Sequence, residues 1–120
     1  MDVAPEKSTD LPVHEHLKIL GISTLSEWDV LTFLHRHGTI MTSAAEMALL
    51  LGDNKAEVGA ALDRLASLGL LQRSRGSQGI RRYQISIPTD LSRFSSFIEL
   101  MRLAENRDGR LLLLKHLPRS

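Results

Sequence analysis

The sequence predicts a mainly α fold that carries one small β-hairpin. Three observations carry that expectation. Helix-capping residues recur before apolar residues at helical spacing, the apolar period changes from 3.6 to 2 after Gly69, and the alternating segment that follows is closed by Pro88. With 120 residues, 42% hydrophobic and 24% charged, the chain can bury roughly two-thirds of its unfolded surface around one core.

The elements follow in order. Residues 1–12, rich in Pro, Ser, Thr and charges, read as a flexible tail. Val13 to Leu20 reads as a short helix stopped at Gly21. The next helix is expected to be capped by Ser26, with Asp29 at its third position, Leu25 and Val30 as a hydrophobic staple, and Gly38 as its stop after His37. Thr39-Ile40-Met41 is a β-prone link. Ser43 and Glu46 then have capping-box spacing ahead of the helix from Ala44 to Leu51, and Asn54 and Glu57 repeat it ahead of a helix over 55–68. Val58, Ala61, Leu62, Leu65 and Leu68 form the buried stripe of that helix. A hairpin follows: Leu71 leads into Arg73 and Arg75, Gly76-Ser77-Gln78-Gly79 turns, and Tyr83, Ile85 and Ile87 return on one face. Thr89 or Asp90 caps a further helix with Leu91, Phe94, Ile98 and Met101 at a/d spacing. Phe97, Leu100 and Leu103 widen its apolar surface, Asn106 to Gly109 breaks it, and Leu111 to Leu114 is uniformly apolar. The expected organisation is a tail (1–12), a helix-turn-helix and hairpin unit (13–88) and C-terminal helices (89–120).

Composition excludes several functions. The absence of cysteine removes disulfide scaffolds, thiol nucleophiles and thiolate metal sites. No apolar run approaches the ~20 residues of a membrane helix, and Asp2 and Glu6 lie where a secretion signal would be apolar, so the expected location is cytoplasmic with no membrane partner. At 4% aromatic, the chain lacks stacking platforms for single-stranded nucleic acid. There is no P-loop, GxGxxG, HExxH or nucleophile elbow, so neither enzyme chemistry nor a cofactor is expected. His14 and His16, like His35 and His37, are spaced i, i+2, which points the two rings of a pair to different helix faces; no metal site is expected.

The net charge of +1 is unevenly distributed. Residues 1–52 are dominated by acids, whereas residues 70–87 hold Arg73, Arg75, Arg81 and Arg82 and no acid. A concentrated basic hairpin is an electrostatic footprint for a phosphate backbone, and arginine forks bind phosphate bidentately.

Three capped helices with a basic hairpin directly after the third resemble a winged helix-turn-helix domain. The stretch Met41-Thr-Ser-Ala-Ala-Glu-Met-Ala-Leu-Leu-Leu-Gly52 looks like the second helix of such regulators. Leu62-Asp-Arg-Leu-Ala-Ser-Leu-Gly-Leu-Leu-Gln-Arg73 looks like the end of their recognition helix entering the wing. The pattern over residues 26–87 is similar to the MarR family of dimeric bacterial transcriptional regulators, with PadR- and ArsR-type regulators alike in outline.

The resemblance implies a homodimer on double-stranded operator DNA, with helix 55–68 in the major groove and the 73–82 wing along the backbone or minor groove. The DNA-facing set is then Ser43, Asn54, Lys55, Ala56, Glu57, Gly59, Ala60, Arg64, Arg73, Arg75, Ser77, Gln78, Arg81 and Arg82. Within it, Ala56 and Ala60 suit thymine methyls. Glu57 suits cytosine but repels phosphate and doubles as a cap residue, and Ser43 serves equally as a plain N-cap. The terminal helices imply a dimer interface of Leu91, Phe94, Phe97, Ile98, Met101, Leu111, Leu112 and Leu114, with packing inside one subunit as the other reading of those side chains. A small-molecule effector stays open. The rival function is a winged-helix module that docks a protein partner and reads no DNA.

Two conditions are set for the DNA reading: the wing guanidiniums must not be locked into carboxylate pairs of their own chain, and the wing must not pack beneath the terminal segments. Four free arginines per protomer would neutralise about eight phosphates per dimer, giving a log K against log salt slope as steep as about −7.

Overall fold

The computed structural model of the chain describes residues 12–38, 41–75 and 79–118. Most of the expected tail lies outside these residues, as do Thr39 and Ile40 of the expected β-prone link and Gly76, Ser77 and Gln78 of the expected turn.

Four helices, an antiparallel hairpin and two further helices follow one another: α1 (Val13–Leu20), α2 (Leu25–His37), α3 (Ala44–Leu51), α4 (Lys55–Ser67), β1 (Leu71–Arg75), β2 (Arg81–Ile85), α5 (Leu91–Ala104) and α6 (Arg107–Leu114). Gly21 ends α1 with a left-handed φ of 89°, its amide closing onto Leu17 O and Lys18 O. Helix α2 starts two residues earlier than the sequence suggests. Thr24, not Ser26, is its cap: Thr24 Oγ1 accepts from the Glu27 amide at 3.2 Å, while Ser26 is buried in the first turn. The cap is local, with Thr24 and Glu27 at capping spacing, and the Leu25 amide, an orphan donor at the helix N-terminus, is satisfied separately by Pro118 O at 2.7 Å.

The Ser43–Glu46 capping box is complete, with the Ser43 amide donating to Glu46 Oε1 at 3.1 Å and the Glu46 amide to Ser43 Oγ at 3.3 Å. Asn54 Oδ1 caps α4 by accepting from the Ala56 and Glu57 amides. In the wing, Leu71 pairs with Ile85 and Arg73 with Tyr83. Strand β2 stops at Ile85, two residues before the expected end, and Ile87 is about half exposed. A bridge that the sequence did not announce joins Thr42 to Tyr83 through two backbone hydrogen bonds of 3.0 and 2.8 Å. It ties the link before α3 to the free edge of β2.

The core is one cluster in which Val30, Leu31, Leu34, Met47, Val58, Leu62, Leu65, Phe97 and Leu100 are essentially inaccessible. Helix α4 packs on both α2 and α3, α1 packs along α5, and α5 also touches α2. Helices α1 and α5 thus lie together in one helical layer. His16 is buried in that layer with its Nδ1 2.9 Å from Ser96 Oγ.

Two C-terminal expectations change. Asn106 ends nothing by itself: its Oδ1 accepts from the Gly109 amide at 2.6 Å and caps α6, so Arg107, Asp108 and Gly109 form that helix's first turn. The apolar residues of α5 also divide between two faces. Phe97, Leu100, Met101 and Ala104 face the core, while Leu91, Phe94 and Ile98 are exposed. Phe97 and Met101 therefore leave the expected dimer surface, since a fully packed side chain has no area to offer a partner.

Candidate nucleic-acid interface

The wing is held against α4 by one carboxylate. Asp63, on α4, accepts a 2.5 Å hydrogen bond from the buried Tyr83 hydroxyl on β2, and its Oδ1 also lies 3.3 Å from Arg73 Nη1 and 3.5 Å from Arg81 Nη1. The Tyr83 hydrogen bond, helped by the two arginines, holds the Asp63 carboxyl below its usual range against the opposing effect of burial. Burial pushes the Tyr83 hydroxyl up, and donating to Asp63 adds to this, so the proton stays on tyrosine. On the other face of the hairpin, Arg82 Nη1 lies 3.3 Å from Glu46 Oε1 on α3. The Ser43 backbone amide is the main cause holding Glu46 below its ordinary value.

These pairs correct the expectation of free guanidiniums. Three of the four wing arginines have a carboxylate partner, and among the described residues only Arg75 does not. The pairs are solvent-facing, with the Arg73 and Arg81 side chains 48% and 49% exposed, and exposed pairs contribute only about 0–1 kcal/mol each. They orient the arginines without locking them. The wing is not packed beneath the terminal helices; its floor rests on α4 and α2.

A groove of about 530 Å³ runs between the start of α3, one side of α4 and the wing. It gathers Ser43, Lys55, Gly59 and Arg81 from the sequence-predicted set, together with Asp63 and Tyr83, which the sequence did not single out. Asn54 and Ala56 are exposed at the adjoining helix start. Glu57, Ala60 and Arg64 lie elsewhere, in a second groove against Thr24 and Glu27 at the start of α2. Arg64 points away from the wing, its Nη2 donating to Gly21 O at 3.0 Å. The predicted helix face is thus two faces. Capping of α4 rests on Asn54, to which Glu57 contributes its backbone amide as a donor. Among the described residues no cluster of metal-ligating side chains forms; His35 meets the edge of Phe97 and His37 lies against the ring of Phe33.

The arrangement, a helix pair capped by Ser43 and Asn54 with a basic hairpin anchored on the second helix, has a counterpart among known families. The model of the MarR family matches residues 20–82, the helix-turn-helix and most of the wing. The chain belongs to the MarR family. This MarR-family membership makes it a transcriptional regulator with a winged-helix fold. A crystal structure of the YusO protein from Bacillus subtilis is similar, with a TM-score of 0.53 and 20% identity over 87% of this chain and 77% of that one, a likeness of fold. No curated protein matches the sequence. No helix of the described residues is long and apolar enough to cross a membrane.

Proposed function

We propose that this MarR-family chain binds duplex operator DNA as a symmetric homodimer in the cytoplasm, without enzymatic activity. The N-terminal part of α4 enters the major groove, and the wing lies on the neighbouring backbone or minor groove. The observation that carries the reading is the exposed four-arginine hairpin held beside the start of α4 by Asp63 and Tyr83. Lys55 lines the same groove as a cation for phosphate, beside Ser43, whose amide is engaged by Glu46 Oε1. The dimer surface would be Leu91, Phe94 and Ile98 of α5 with Leu111, Leu112 and Leu114 of α6, all exposed. A two-fold axis through such a surface sets two α4 helices on successive turns of a palindrome.

The test replaces Arg81 and Arg82 together with alanine and measures binding to duplex DNA by fluorescence anisotropy. Loss of binding at least tenfold, with unfolding unchanged, supports the proposal. No wild-type binding at low salt, or binding that ignores salt, overturns it. A second reading, a winged helix that docks a protein, is favoured by one observation: the α4 face offers Ala56, Gly59 and Ala60, side chains with no hydrogen-bonding group for base edges. Wild-type-like duplex binding by the double variant supports that module instead.

A further inference from the structure

The C-terminal ends of α1 and α4 meet the first turn of α5 at one point. There Arg93 Nη2 donates to Leu68 O at 2.5 Å and lies 3.5 Å from Leu20 O. The Arg64 guanidinium reaches the adjacent Gly21 O from α4. Carbonyls at a helix C-terminus lack intrahelical partners and carry partial negative charge, so a guanidinium satisfies them and favours their approach. The approach is close. Gly21 has a φ of +89°, and a Cβ built on it would fall 2.6 Å from Leu68 Cδ2.

Arg93 is half-buried, and its own amide is held by Asp90 Oδ2 at 3.1 Å. It stands between Leu91 and Phe94, which are 79% and 41% exposed on the outer face of the same helical turn. One guanidinium thus ties the end of the DNA-reading helix to both helices of the terminal layer, at the edge of the surface assigned to the second subunit.

We infer that Arg93 is a positioning residue: it fixes the end of α4 on α1 and α5, and so sets the spacing at which two α4 helices of a dimer meet DNA. This rests on the DNA-binding dimer proposed above. Removing it leaves the wing arginines and their phosphate contacts in place, so the loss falls on selectivity. Hydrophobic packing of Leu68 on Gly21 remains, which keeps the ends together but not in one register.

The experiment compares wild type, Arg93→Met and Arg93→Lys on two duplexes of equal length: one selected by the wild-type chain from a randomised library, and one of random sequence. Arg93→Met is expected to lose at least tenfold of the preference for the selected duplex, with affinity for the random duplex within twofold and the dimer mass unchanged. Arg93→Lys, which keeps one donor for Leu68 O, is expected to recover part of that preference. An unchanged preference, affinities falling in parallel on both duplexes, or failure of both variants to fold overturns the inference. If the wild type prefers no duplex, the regulator reading falls, and hydrogen exchange of the DNA-free protein decides the clamp. Faster exchange in Arg93→Met at Gly21–Ile22 and at Gly69–Leu70 together upholds it; an effect at one of the two alone, or at neither, overturns it.

Discussion

Among the described residues two glycines sit inside helices, and a methyl group has opposite consequences at them. Gly59 has ordinary helical backbone, and a Cβ there would meet only Ala44 Cβ at 3.7 Å. Gly59→Ala is therefore expected to stabilise the fold by about 0.5–1 kcal/mol, since the unfolded chain loses freedom and the helix gains propensity. At Gly109 a Cβ would fall 2.2 Å from Leu103 O, a backbone atom that cannot yield cheaply. Gly109→Ala is expected to cost roughly 1–3 kcal/mol as α6 is pushed off α5. Thermal unfolding of the two variants gives shifts of opposite sign. Asp63 poses a different question. Its folded-state value lies below its ordinary 3.8, so the stability it lends the wing is complete above that value and is lost as pH falls through the lowered one. Asp63→Asn keeps an acceptor for Tyr83 but releases Arg73 and Arg81. Its acid-unfolding curve should fall less steeply below pH 3.8 than that of wild type, the part due to Glu46 remaining, and it should hold random duplex more tightly than wild type.

Helix α5 shows how one element serves two surfaces. Its apolar residues outnumber what one stripe can hold, and packing against α1, α2 and α6 decides which of them turn inward. Phe97→Ala empties a fully buried site and is expected to cost about 3–5 kcal/mol. Phe94→Ala removes a ring that is 41% exposed, and at dilute concentration it should leave unfolding nearly unchanged while lowering the dimer mass seen by light scattering. The wing is divided in the same way. Alternation placed Tyr83 inward correctly, but its hydroxyl partner lies 20 residues away on α4.

At the scale of the molecule, charge bookkeeping changes the expected salt response. Four guanidiniums share their surface with Asp63 and Glu46, which leaves a net charge of about +2 per protomer at the wing. About four phosphates per dimer are then neutralised, and the expected slope of log K against log salt is near −4, not −7. Titrating a duplex across salt concentrations measures it directly, and a slope of −7 would show that phosphates displace both carboxylates. In the proposed interface Lys55 and the wing would supply donors to the phosphate backbone, whereas Ala56 and Gly59 offer base edges only apolar or bare surface.

Local chemistry was enough to announce the caps at Ser43 and Asn54, the stops at Gly21, Gly38 and Gly69, the hairpin and its four arginines, because capping, period and turn signals act over a few residues. Contacts between distant segments settled the remainder: the division of α5 into two faces, the grouping of Asp63 with Tyr83, Arg73 and Arg81, and the meeting of Arg93 with Leu68. Those depend on which helix end or strand face is carried against which, and that follows from burying a shared core, a quantity no short window of residues contains.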